Sequence, residues 1–418
     1  MSQPRRVVVT GMGAVTPLGT TVDAFWAGLV AGESGVRTIA SFDPSRVHCH
    51  IAGEALDFDP SMVLDRKEVR RNDRTTQMAL VATREAMDQA GLPARLEGEH
   101  ALHTGIIIGS GLGGTGTLIE QIVTNATRGP DRVSPFFIPM AIANMPAGQV
   151  AISFGAMGPN FSTTSACASA GHAIGEATEM ILRGDAEVMF AGGAEASVYE
   201  ATIAGFGAMR ALSTRNDDPA GASRPFDAGR DGFVLAEGAA TLILEELGHA
   251  EARGARILAE VCGYAATADA SHITSPAPGG AGALRAARRA LVKGGLEASD
   301  IDLVAAHATS TQAGDMEELA AIRSLLGERA PAVAITATKS AIGHTLGAAG
   351  AIAAIAIIEA MHHGCVPPTL NLTDPDPGVG EMDLTPLRAR ERDVRVGLVN
   401  AFGFGGQNSA IVLRRWDA

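Results

Sequence analysis

The sequence is short of aromatic rings, of lysine and of closely spaced cysteines. Phe, Tyr and Trp make up 4% of its 418 residues, and Lys67, Lys293 and Lys339 are its only lysines. Glycine, by contrast, occurs 50 times, well above ordinary usage, so the chain is built from small side chains and close backbone contacts. The glycines follow no G-X-Y period, which excludes collagen. With 46% hydrophobic and 19% charged residues, disorder is excluded as well. Asp and Glu outnumber Lys and Arg by 46 to 33, a net charge of −13, which argues against a nucleic-acid-binding surface. Cys49, Cys167, Cys262 and Cys365 form no C-x-x-C pair; a disulfide framework is therefore not expected, and a reducing, cytoplasmic setting is. The longest apolar run, residues 348–358, is too short to insert in a membrane and reads as a helix buried on all sides. The apolar run at the N-terminus reaches Gly11 too soon for a signal peptide.

What is present is an alternation. Short β-branched runs at residues 6–10, 105–108, 187–191, 303–306, 333–335 and 396–399 predict strands. Helical patterns at 75–90, 169–183, 282–293, 316–326 and 347–362 lie between them, predicting α/β sheets covered on both faces. The order also repeats. VVVTGMGAVT (7–16) is echoed by EVCGYAATAD (260–269), GIIIGSG (105–111) by LVAAHATST (303–311), and VMFAGGAEA (188–196) by VNAFGFGGQN (399–408). A helix opening near Cys167 answers one opening near His344. Two duplicated halves, residues 1–252 and 253–418, are expected to present matching loops to one central site.

Several stretches invite a chemical reading. Gly109, Gly111 and Gly114 match G-x-G-x-x-G after a strand, but no acidic strand end follows about 20 residues on, and a dinucleotide site is not expected. In SACASAG, Cys167 opens a helical pattern, where the dipole and free amides favour a thiolate and hold an oxyanion. A lone cysteine is as readily a small buried hydrophobe, and both readings stand. His307, ending a strand in AAHATST, and His344, in KSAIGHTLGAAG, are each either core residues or groups aimed into a pocket. The run His48-Cys49-His50 lacks the further partners that a metal needs, and no metal site is expected.

The ordered motifs TSACASA around Cys167, RPFDAGRDGFVLAEGA from Arg224, HATST at His307, KSAIGHTLGAAG from Lys339 and FGFGG at Phe402 to Gly406 resemble the β-ketoacyl-[acyl carrier protein] synthases over nearly the whole chain, about residues 3–416. The resemblance implies a thiolase-like fold, five-layered αβαβα with two pseudo-symmetric halves, and a homodimer. It implies elongation of fatty acids by the second type of elongating synthase, with a ketosynthase of a type II polyketide pathway as the alternative. Cys167 would carry the acyl chain. His307 and His344 would stabilise the enolate left when malonyl-carrier protein loses carbon dioxide. The amides of Cys167 and Phe404 would form the oxyanion hole, with Phe404 also the gate of the acyl pocket.

Lys339 and Glu318 would form a buried pair behind the histidines, with Asp315 shaping the loop beside Glu318. Thr309 and Thr311 would bind pantetheine, while Leu112 and Phe402 would line the substrate pocket. No cofactor is implied, since the phosphopantetheine arm belongs to the carrier protein. An acidic enzyme that meets an acidic carrier needs a local basic patch, for which Arg66, Lys67, Arg70, Arg71 and Arg74, together with Arg210 and Arg215, are the candidates. His344 and Cys167 set the chain apart from initiating synthases and from chain-length factors.

Overall fold

The computed structural model describes residues 5–417; the outermost ends of the two expected halves lie outside it. Ten strands form the central sheet system: β1 (Val7–Val15), β2 (Thr104–Gly109), β3 (Asn160–Phe161), β4 (Val188–Glu195), β5 (Gly238–Glu246), β6 (Ala259–Ala268), β7 (Leu303–Ala305), β8 (Ala334–Thr336), β9 (Val396–Gly403) and β10 (Gln407–Arg415). Their order is β3-β2-β4-β5-β1 followed by β6-β10-β9-β7-β8. Each half repeats the other with five added to every label. The pairings repeat too: β2 lies parallel to β4 and β7 parallel to β9, while β4–β5 and β9–β10 are antiparallel. The halves meet where β1 pairs with β6, at Val8–Glu260 and Val9–Ala259.

Side chains alternate between two environments along each strand, as the two-residue period of a strand requires. In β4, Met189 and Ala191 enter the central core, whereas Val188 and Phe190 pack beneath the outer helices α1 (Arg74–Gln89) and α3 (Met145–Phe154). In β10, Ile411 and Leu413 face the centre; Ala410 and Val412 pack against α5 (Ala281–Lys293) and α6 (Gln312–Leu326). Between the half-sheets run α4 (Ser169–Arg183) and α7 (Ala349–His363). The layering is therefore αβαβα.

Helix α4 buries Ala170, Ala173, Ile174, Ala177 and Ile181, a stripe at helical spacing, and ends on Gly184 at φ 85°. Helix α7 is apolar all round because it is covered all round. Its isoleucines 352, 355, 357 and 358 are fully buried, each contributing about 1.5–3 kcal/mol. With its leading turn, residues 346–363 are in fact long and apolar enough to cross a membrane, but 89% of that segment is buried inside the protein. The two central helices touch through glycine: a Cβ on Gly350 would lie 2.8 Å from the Gly171 nitrogen. Alanine there would force the helices apart.

Candidate active site

Cys167 and His344 arrive by the same local device. The turn Ala166–Ala168 leads into α4 and the turn Leu346–Ala348 leads into α7. Each begins on a side-chain-bearing residue held at positive φ, Ala166 at 50° and Leu346 at 43°. Such backbone is strained for these residues and persists only where packing imposes it. The bend brings Cys167 into the lining of a cavity of about 430 Å³. His344, two residues before Leu346, comes from the opposite half with its Nε2 at 2.9 Å from the Cys167 sulfur. His307 follows β7 and completes the group: ligand atoms of Cys167, His307 and His344 lie within 4.8 Å of one another. The two imidazoles meet edge to face at 5.5 Å.

Burial sets the charge state of this group. The Cys167 thiol is pushed up to about 12 by desolvation, against the pull of Lys339 and of the backbone N–H groups of Cys167 and Phe404. The helix terminus alone therefore does not yield a resting thiolate, because its contribution is about 0.3–1 kcal/mol and burial of the sulfur outweighs it. Both histidines are driven well below the ordinary imidazole range by burial and by nearby Lys339. They are neutral at pH 7, and the Nδ1 of each is buried without a hydrogen-bond partner. A bare lone pair is cheaper to bury than an unbonded N–H, which favours the tautomer carrying its proton on Nε2. Two imidazoles and a thiol could also serve a metal. Lys339, lowered by burial to about 8, is still largely cationic at pH 7 and repels a cation there.

Buried carboxylates hold the backbone of the site. Glu318 accepts the His307 N–H at 2.8 Å, the Ala308 N–H at 2.7 Å and the Asn400 side-chain amide at 3.0 Å. It thus secures the turn bearing His307, in which Ala308 and Ser310 have positive φ. Lys339 and Glu318, expected as a buried pair, are both buried and their charges favour one another, but no direct bond joins them, since Glu318 spends its oxygens on amides. Asp315 accepts from the N–H groups of Phe226 and Ser310 and stands 3.8 Å from Arg230; burial raises it to about 7. Arg230, given no role in the sequence reading, donates to the carbonyls of Thr311 and Gln312 at 3.1 and 2.8 Å.

Thr309 and Thr311, 3.1 Å apart through their hydroxyls, line the cavity with Leu112, Phe402, Phe404 and Arg210. Phe404 sits in the turn between β9 and β10, partly exposed. The basic candidates divide. Arg66, Lys67, Arg70, Arg71 and Arg210 are exposed, with Arg71 stacked 4.8 Å over the Phe136 ring. Arg74 is not free to dock anything, because it forms a two-pronged pair with Glu237 at 2.7 and 2.9 Å. Arg215 is half-buried and bonded to the Gly229 carbonyl. The His48-Cys49-His50 run diverges, Cys49 bonding the Ile51 carbonyl and His50 the Val47 carbonyl.

The Gly-rich turn after β2 does lead into a helix, α2 (Thr115–Arg128), as a nucleotide fingerprint would. Its amides are already engaged. Gly111 and Leu112 donate to Glu195, at the end of β4, at 2.7 and 3.1 Å.

Residues 4–250 match the family model described as "Beta-ketoacyl synthase, N-terminal domain", and residues 258–373 its "C-terminal domain". The chain is 46% identical over 415 residues to 3-oxoacyl-[acyl-carrier-protein] synthase 2 of Synechocystis sp., covering 99% of each chain. A beta-ketoacyl synthase from Burkholderia phymatum superposes with a TM-score of 0.92 at 38% identity, covering 99% of this chain and 100% of that one. A ketosynthase solved in complex with a type II PKS acyl-carrier protein superposes at 0.90 with 32% identity, over 99% and 100%.

Proposed function

The chain belongs to the beta-ketoacyl synthase family, and from that premise we propose that it elongates fatty acyl chains by decarboxylative condensation on acyl carrier protein. The observation that carries the proposal is the meeting of Cys167, from one half, with His344 and His307, from the other.

In the first step the Cys167 sulfur attacks the thioester of an acyl-carrier protein. A new carbon–sulfur bond forms, the pantetheine sulfur leaves, and the thiol proton passes to it. Malonyl-carrier protein then enters past Thr309 and Thr311. Its carbon–carboxylate bond breaks, carbon dioxide departs, and the electron pair becomes an enolate whose oxygen accepts hydrogen bonds from His307 and His344. Neutral imidazoles suit this step, since each can donate one N–H hydrogen bond to the enolate oxygen yet is too weak an acid to protonate the enolate. The enolate carbon attacks the acyl carbonyl while the amides of Cys167 and Phe404 hold the oxyanion. The bond to Cys167 breaks, its sulfur takes up a proton, and 3-oxoacyl-carrier protein leaves. Loss of carbon dioxide drives the condensation, so no cofactor is called for.

Arg66, Lys67, Arg70, Arg71 and Arg210 would receive the acidic carrier protein. Homodimerisation is supported by the edge strand β3, whose two residues are both exposed. Nearby sequence carries the exposed apolar side chains Ile122, Ile138, Ile152 and Met157, a combination that soluble monomers avoid. Four free cysteines accord with work in the cytoplasm. The polyketide alternative draws on likeness to the ketosynthase above at 32% identity; the relative at 46% favours fatty acyl substrates.

Reconstitution tests the proposal. Acyl- and malonyl-carrier proteins incubated with the enzyme are expected to yield 3-oxoacyl-carrier protein two carbons longer, with one carbon dioxide released per product. Absence of that product with every saturated acyl chain supplied contradicts it.

A further inference from the structure

The duplication places a second helix start, that of α7, beside the first, and its contents differ. The turn Leu346–Ala348 matches Ala166–Ala168 residue for residue, so the counterpart of Cys167 is Gly347. The Gly347 N–H is not open to the cavity. It donates to Glu195 Oε2 at 3.1 Å. The same oxygen accepts the Gly111 N–H at 2.7 Å, while Oε1 takes the Leu112 N–H at 3.1 Å and the hydroxyls of Ser110 and Ser197, each at 3.2 Å. Glu195 is fully buried and ends β4, as Gly403 ends β9 just before the Phe404 amide. One half thus presents an amide to the reacting sulfur, and the other presents a carboxylate to the matching amide.

A buried carboxylate is costly unless its hydrogen bonds are met; burial pushes Glu195 up, and five donors from three segments, residues 110–112, Gly347 and Ser197, pull against it. The first two of these segments carry cavity walls: Leu112 and Leu346 both line the cavity, each adjacent in sequence to an amide bonded to Glu195. There is no slack in the arrangement. A Cβ on Gly347 would fall 2.8 Å from Glu195 Oε2 and 2.6 Å from the Gly111 nitrogen.

We propose that Glu195 is a specificity-determining positioning residue, which clamps the Leu112 wall to the Leu346 wall and so fixes which acyl chain lengths fit beside Cys167. The proposal rests on the condensing-enzyme reading above. Glutamine is a poor substitute because its NH2 would face donors, leaving one segment unclamped. Removing the charge also removes a repulsion that opposes the thiolate.

Intact-protein mass spectrometry of Cys167 acylation, with carrier proteins bearing four-, eight-, twelve- and sixteen-carbon chains, gives a rate for each length. In Glu195→Gln the ratio of fastest to slowest chain is expected to narrow at least fivefold, and the pH profile of iodoacetamide alkylation at Cys167 to move to lower pH. Glu195→Asp keeps the charge with a shorter reach; it is expected to narrow the ratio without moving the profile, and it carries the test if the glutamine variant does not fold. An unchanged ratio in either folded variant overturns the proposal, as does a uniform fall for all lengths. No adduct with any chain on the wild-type enzyme instead overturns the condensing-enzyme reading and the proposal with it.

Discussion

At the start of α4 the turn Ala166–Ala168 holds a sulfur in the wall of a cavity; at the start of α7 the turn Leu346–Ala348 holds Gly347 with Glu195 on its amide. Backbone and position in the half-sheet are the same. What differs is a handful of side chains. A helix N-terminus attracts negative charge wherever it lies, so a duplicated α/β unit creates two such places. On the proposed mechanism one is left for a passing oxyanion, whereas the other is filled by the protein's own carboxylate. The loops after β2 and β7 show the same economy, since each is tied through its amides to a buried acid, Glu195 in one half and Glu318 in the other.

The contrast between the two helix starts breaks most sharply at Cys167. Cys167→Ala makes both starts chemically inert, and condensation is expected to fall at least about 10³-fold in a product assay; retention of activity would mean that the nucleophile lies elsewhere. Next come the histidines contributed by the second half. His307→Ala and His344→Ala are each expected to slow carbon dioxide release from malonyl-carrier protein by about 10² to 10³-fold, the usual loss for one oxyanion donor. Wild-type release from both variants would remove them from the enolate step.

Glu318→Ala tests the loop ties. It leaves the amides of His307, Ala308 and Asn400 buried without an acceptor, for an expected loss of about 3 kcal/mol in denaturant unfolding together with slower condensation. The halves also differ at the matched positions Glu245 and Arg414, which end in ion pairs of reversed sign: Glu245 with Arg253, and Arg414 with Glu260. Burial pushes Glu245 up, but its bonds to Arg253, His249 and Thr10 prevail and hold it at about 2. Its folded-state value lies below the unfolded one, so its stabilisation is complete above pH 4.5 and disappears as the pH falls toward 2. Replacing Glu245 by Gln is expected to flatten stability against pH across that window. Smallest is the surface effect: Arg71→Glu should raise the KM for carrier protein about threefold at low salt and hardly at all at high salt.

Periodicity made the layers legible, because strands covered on both faces are apolar throughout and the central helices carry stripes of alanine and isoleucine. Helix α2 escaped notice: TGTLIEQIVTNATR is rich in β-branched residues of poor helix propensity and begins in glycine. At the site, Cys167, His307 and His344 stood out as reactive types set among small neighbours. Glu195 and Arg230 did not, since most of their partners are backbone groups that leave no trace in the sequence. A clue to Glu195 was available, however: an acid ending the wholly apolar run VMFAGGAE must be bonded if buried. The basic run 66–74 looked uniform because charge alone does not disclose that Arg74 already has Glu237.

On the proposed mechanism one thiol of four, that of Cys167, carries the acyl chain. Cys49, Cys262 and Cys365 are free as well, and they supply the internal control. Proteolytic mapping by mass spectrometry, after brief incubation with acyl-carrier protein alone, is predicted to find the acyl mass on the peptide containing Cys167 and on no other. An adduct on Cys49, Cys262 or Cys365, or one that persists in Cys167→Ala, would contradict the account.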